Sequence, residues 1–236
     1  MGCEKEKIER KCDMKKLNIL IISLLILSIP KIALALPSLQ VYIPGAVAGD
    51  YGDDQDTWYI HGIWPHTFQL YVVGSYRKND TAITNGILLA TVPQGQSGAI
   101  SGLGSGTFHS DLSLIPVTVP NLNHYPLNKP NLFDFYTFDI GSFAQNTGLN
   151  NYNADGGTIE YKANAIGEEK IFNLTVTGFE YVHFDAYAKF NNDDEDWRAN
   201  PGSHDSMGKF APEPTSLMLL GLGLFGFGAT RRRKRI

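Results

Sequence analysis

Three histidines in this chain of 236 residues stand beside an aspartate: His109 two before Asp111, His183 two before Asp185, and His204 next to Asp205. An imidazole with a carboxylate neighbour can serve as a metal ligand or as a general base. Residues two apart in a strand share a face. A strand through 183–185 therefore projects His183 and Asp185 together, with Phe179, Tyr181 and Tyr187 on the same side. The plainer reading is structural, and we adopt it: a buried His183 bonded to Asp185 or to a carbonyl. His204 and Asp205 are expected in a loop close to the tail, with the His204 imidazole apart from that of His183. A shared metal would instead bring both imidazoles and a carboxylate to about 2.0–2.2 Å from one point.

The second group is acidic: Asp50, Asp53, Asp54 and Asp56 in GDYGDDQDTW. Carboxylates this dense repel one another unless a cation sits among them, and Ca²⁺ is the oxygen-seeking ion available outside cells. Ca²⁺ is accordingly the one cofactor expected, although the spacing is not that of an EF-hand loop. A further acidic run, 193–196, reads as a solvated turn. Other chemistry lacks its signature. There is no G-x-S-x-G elbow, no phosphate-binding loop, no dinucleotide fingerprint and no H-E-x-x-H. Paired carboxylates for glycoside hydrolysis are present everywhere, and nothing singles out one pair.

The elements that must position these residues read as β. Between 36 and 211 no long window keeps a helical period; short alternating runs are cut by Gly, Pro and Asn. Strands are expected at 67–76, 86–92, 114–119, 132–140, 158–165, 170–177 and 179–190, with Pro116 demoting the third to an edge. Loops are expected at 94–106, 121–131 and 191–209. This pattern predicts an all-β domain, a single antiparallel β-sandwich of jelly-roll type over 36–210, with a barrel as the alternative.

Both ends address the chain. Lys15 and Lys16 precede an apolar run, Pro30 ends it, and Ala33 and Ala35 place small residues where signal peptidase cuts, so residues 1–35 read as a signal peptide. Met14 offers an alternative start. Cys3 and Cys12, the two cysteines, lie before that cut. Residues 36–211 hold eight Lys and Arg against nineteen Asp and Glu, a balance of −11 that argues against nucleic acid as a partner. At the other end stand Pro212, Glu213 and Pro214, then an uncharged Leu/Gly-rich run over 215–230, then Arg231, Arg232, Arg233, Lys234 and Arg235. The run has about 16 residues, short of the roughly 20 of a comfortable span. The basic cluster resists translocation. These three ordered features resemble the PEP-CTERM signal that exosortases read. The resemblance implies a membrane-held intermediate on a transient C-terminal helix, processing by signal peptidase and exosortase, and delivery to the cell surface or beyond. A plain tail anchor is the alternative.

The pieces WPHTFQLYVVGSY, HYPLNKPNLFDFYTFDIG, HFDAYAKF and NPGSHDSMGKFAPEP are similar to the choice-of-anchor N proteins, exported surface proteins whose tails differ. That resemblance implies an extracellular role without an assigned reaction. The expectation is a non-enzymatic protein of the surface or matrix, in adhesion or exopolysaccharide association. The rival is a secreted hydrolase with a metal or carboxylate site, to be recognised by a concave site where His and Asp converge.

Overall fold

A computed structural model describes residues 36–51, 54–115, 124–193 and 195–211. Thirteen strands run through them in chain order. They are β1 (Leu39–Tyr42), β2 (Val47–Tyr51), β3 (Asp54–Ile63), β4 (His66–Tyr76), β5 (Ile83–Pro93), β6 (Ala99–Ser101) and β7 (Thr107–His109). After two 3-10 turns come β8 (Phe133–Phe143), β9 (Asn146–Asn153), β10 (Thr158–Thr177), β11 (Tyr181–Phe190), β12 (Trp197–Ala199) and β13 (Ser206–Ala211). The domain is all-β, as expected. The expected helices at the two ends lie outside the described residues, among which no helix is long and apolar enough to cross a membrane.

The strands form two sheets. The first runs β1-β4-β10-β6, with β9 also on β10; the second runs β2-β3-β13-β11-β5-β8-β7, with β12 also on β11. Alternation explains how the sheets meet. In β11, Val182, Phe184, Ala186, Ala188 and Phe190 point to one side; in β4, Phe68, Leu70 and Val72 do, and in β10, Leu174 and Val176. All of these enter one apolar cluster, together with Leu88, Ala90 and Val92 of β5 and Phe138 and Ile140 of β8. Each sheet thus gives its inner face to a shared core and keeps an outer face.

Several expectations need correction. The pairing is not wholly antiparallel: β13 lies parallel to β3, Ser206 opposite Trp58. Segments 158–165 and 170–177 are one strand, β10, whose pairing with β9 shifts between Lys162 and Ile166. Gly167 permits this continuity. At its φ of +158°, a Cβ would stand 2.0 Å from the Gly74 carbonyl oxygen of β4. Leu114 ends a 3-10 turn (Leu112–Leu114) instead of starting a strand, and the rest of that expected strand lies outside the described residues. Strand β9 arises from Asn-rich sequence, poor in strand propensity. It is held by tertiary contacts. Buried Gln40 accepts from the Tyr152 N–H at 2.8 Å, and its amide donates to the Asn150 carbonyl at 3.3 Å. Tyr42 stacks on Tyr152 at 4.1 Å.

The two outer faces differ. That of the second sheet is covered. Leu127, Phe133, Phe135, Leu89, Ile115 and Tyr187 form a second buried cluster there, with Tyr125, Tyr181 and Trp197 against it. The first sheet's outer face is open around Thr67, Gln69 and Asn173, which are exposed, whereas Val73 further along β4 is buried against Tyr42, Trp58, Leu149 and Tyr152.

Candidate metal centre

Strand β11 fixes the first two residues of the site. Its odd-numbered side chains leave the shared core, so His183 and Asp185 point to the covered outer face beside Tyr181 and Tyr187. Both are fully buried. Phe179, expected on the same side, belongs to the shared core instead. Gly178, at φ +78°, turns the chain before β11 begins, so the alternation does not extend back to it.

The third residue comes from the entrance to β13. Register pairs His183 with Met207 and Phe184 with Ser206; one step further sets Asp205 opposite Asp185. Asp205 is extended, fully buried, and its carbonyl accepts from the Trp58 N–H at 3.3 Å. The fourth, His124, comes from the turn that covers the face. Its carbonyl accepts from Asn128 at 2.9 Å, and Lys129 N donates to Pro126 at 2.9 Å. Buried Leu127 and the Tyr125 ring, 5.6 Å from that of Phe133, anchor this turn. Gly202 lets it approach: a Cβ there would come 3.1 Å from the His124 Cβ.

Four side chains from three segments thus converge. His124 Nε2 lies 2.8 Å from Asp185 Oδ1 and 3.6 Å from Asp205 Oδ2. His183 stands between the carboxylates, Nδ1 at 3.0 Å from Asp185 Oδ2 and Nε2 at 3.2 Å from Asp205 Oδ2. One donor atom from each of the four falls within 4.8 Å of all the others. Asn200, also buried, steadies the group. Its amide donates to Asp185 Oδ1 at 3.1 Å, while its side-chain oxygen accepts from the Ala186 N–H at 2.6 Å.

The electrostatics follow from burial and proximity. Burial opposes charge on His183, yet the neighbouring Asp185, Tyr181 and Asp205 hold its imidazole well above the ordinary histidine value. His124 is raised in the same way, against burial, by Asp185 and Asp205. Burial would raise Asp185, and the two imidazoles hold it below the usual carboxylate range instead. Opposite charges at these distances favour each other's ionised forms.

Of the four side chains, only His124 reaches an opening, with its side chain 16% exposed. It lines a half-open cavity of about 430 Å³ together with Arg77, Ser38, Asn200 and Pro201. Chemically, the group offers two imidazole nitrogens and two carboxylates from a buried wall beside an open cavity.

Sequence reading missed His124, which has no aspartate beside it; the cue was its place in a Pro-flanked segment ahead of an aromatic strand. It also joined Asp205 to the wrong histidine. His204 turns away, Nδ1 to Ser203 Oγ at 2.9 Å and Nε2 to Asn151 Oδ1 at 3.2 Å, and burial pushes it down to about 4. His204 ends a 3-10 turn while Asp205 begins extended chain, so neighbours in sequence point apart. His109 bonds to Thr137 at 3.0 Å and Asp111 caps the 3-10 turn at Ser113, so that pair does not meet. In the first acidic group, Asp50 and Asp56 belong to the β2–β3 hairpin, where Asp50 Oδ1 accepts from the Asp56 N–H at 3.3 Å. Burial, Asp155 and Asp50 raise Asp56. Asp54 lies in β3 and Asp53 outside the described residues, as do Ala33 and Ala35 of the expected cut. Pro212, Glu213, Pro214 and Arg231, Arg232, Arg233, Lys234 and Arg235 lie there too.

No curated protein matches the chain. Residues 211–234 match the PEP-CTERM protein-sorting motif. The chain therefore carries an exosortase sorting signal, which marks it for export to the cell surface or the exterior.

Proposed function

We propose that the exported domain is a non-enzymatic binding module of the cell surface or extracellular matrix, acting in adhesion or exopolysaccharide association. We read the two sheets around their shared core as a β-sandwich that presents one face to a polymer. One observation carries the proposal: an uncharged strip on the outer face of the first sheet. Thr67, Gln69 and Tyr71 of β4 stand opposite Thr175, Asn173 and Ile171 of β10. Thr67 and Thr175 share a hydrogen bond at 2.8 Å, and the Tyr71 hydroxyl donates to Gln69 at 3.3 Å. Hydroxyls, amides and an aromatic ring in one plane suit the hydroxyl-rich, flat faces of a neutral sugar chain. The PEP-CTERM tail supports the same reading, and the proposal includes kinship of the exported segments with choice-of-anchor N proteins.

The test is co-sedimentation of the secreted protein with the extracellular polysaccharide of its own cells. Replacing Tyr71 and Asn173 together by Ala should weaken association by roughly tenfold, about 1.4 kcal/mol. Equal sedimentation of parent and variant would contradict the proposal.

A second reading, a secreted hydrolase, draws on the cavity at His124 and Arg77. In it His124 alone would meet substrate, because the other three members are fully buried. Hydrolysis of the same polysaccharide by the parent and not by His124→Ala would favour it.

A further inference from the structure

We propose that His124, His183, Asp185 and Asp205 bind one divalent transition-metal ion, best matched by Zn²⁺, that fastens the 124–129 turn and the start of β13 onto β11. The site goes beyond the binding-module reading and does not rest on it.

Geometry is the first support. A tetrahedron with arms of about 2.1 Å has edges of about 3.4 Å. The distances from Asp205 Oδ2 to His124 Nε2 and His183 Nε2 are 3.6 and 3.2 Å, those from the two imidazoles to Asp185 are shorter at 2.8 and 3.0 Å, and four donors fall within a 4.8 Å span, so a small opening of the Asp185 contacts would seat the ion. The second consideration is charge. Two carboxylates in a fully buried place need compensation, and a divalent cation with two neutral imidazoles supplies it as completely as two charged imidazoles do. The donor set comes third. Imidazole with carboxylate suits Zn²⁺ and its first-row neighbours, whereas Ca²⁺ seeks six to eight oxygens. Around this set, Asn200 fixes Asp185 from behind, the outer support that metal carboxylates commonly have. His124 opens onto the cavity and gives the ion a route in. Four protein donors fill a tetrahedral shell, so the ion is a structural staple with no position left for a reacting water.

The competing account is an ion-free network in which charged imidazoles alone balance the carboxylates. The protein as the cell processes and exports it separates the two. After loading with Zn²⁺ and dialysis, elemental analysis should find about one zinc per chain. Chelator should lower the melting temperature, and Zn²⁺ but not Ca²⁺ should restore it. Co²⁺ in its place should give the intense visible absorption of a tetrahedral site. His124→Ala removes the donor at the rim and leaves the buried three, so it should fold. It should lose affinity by more than the roughly 10–100-fold expected for Asn200→Ala, whose role is only to support a ligand. His109→Ala should bind like the parent. Substoichiometric zinc with a melting temperature indifferent to chelator and Zn²⁺ would overturn the site. So would Zn²⁺ bound undiminished by His124→Ala, or equal restoration by Ca²⁺.

Discussion

The outer faces of the two sheets are built from the same alternation and have opposite fates. In β11 the outward side chains His183, Asp185 and Tyr187 have no solvent exposure; in β10 the outward Ile171 is 51% exposed. Hydrophobicity does not explain the difference, since the isoleucine is the exposed one. Cover does. The segment around Leu127 lies over the second sheet and seals ionisable groups beneath it, whereas Thr67 and Gln69 of β4 and Ile171 and Asn173 of β10 stay exposed. Ionisable groups were therefore placed inside where opposite charges could meet, and Ile171 was left outside.

The comparison breaks most easily at its buried charges. Asp185→Ala leaves His124 and His183 without their nearest carboxylate, and loss of one partner of a buried pair costs about 3–5 kcal/mol. Equilibrium urea denaturation should register that loss. The cover comes next. Leu127→Ala removes a buried contact and should cost about 2–4 kcal/mol, while raising hydrogen exchange at the amides of 124–129. On the open face, Ile171→Thr should change stability by less than about 0.5 kcal/mol; a loss comparable to that of Leu127→Ala would show that this face is also covered. A further small effect belongs to a partly buried ion trio. Arg198 donates to Asp196 at 2.9 and 2.7 Å and to Asp80 at 3.0 Å. Those hydrogen bonds, assisted by the charge of Arg198, by Asn191 and by Arg77, hold Asp196 below the usual carboxylate value. A carboxylate lowered on folding stabilises above its unfolded value, near 3.9, and loses that stabilisation as pH falls through the folded value. Asp196→Asn should therefore flatten the stability profile below about pH 4 by no more than about 1 kcal/mol and change nothing at pH 7 beyond that amount.

How much of this was legible in the sequence varied by element. The aromatic and branched alternation of 67–76 and 179–190 announced β4 and β11, and it put His183 beside Asp185. Strands β1, β2, β3, β6, β7, β9, β12 and β13 were hidden, with β6, β12 and most of β13 inside expected loops at 94–106 and 191–209; in β2 and β9, Asp, Gly and Asn are poor strand formers, and Gln40, Tyr42 and Tyr152 hold β9 through contacts distant in sequence. The site was half legible for the same reason. Local spacing can pair 183 with 185, but only strand register brings 205 to 185, and only the fold of the covering turn brings 124. The tail was the opposite case. Its signal is linear, a Pro-Glu-Pro, an apolar run and a basic end, and it required no structure to be read.

X-ray absorption at the zinc edge, on zinc-loaded protein recovered from outside the cell, addresses the sealed cluster most directly. A site of two imidazoles and two carboxylates gives four light-atom neighbours at about 2.0–2.1 Å with the outer-shell scattering of two imidazoles and no sulfur. A six-coordinate oxygen shell, or no zinc signal above that of the dialysis buffer, would contradict it.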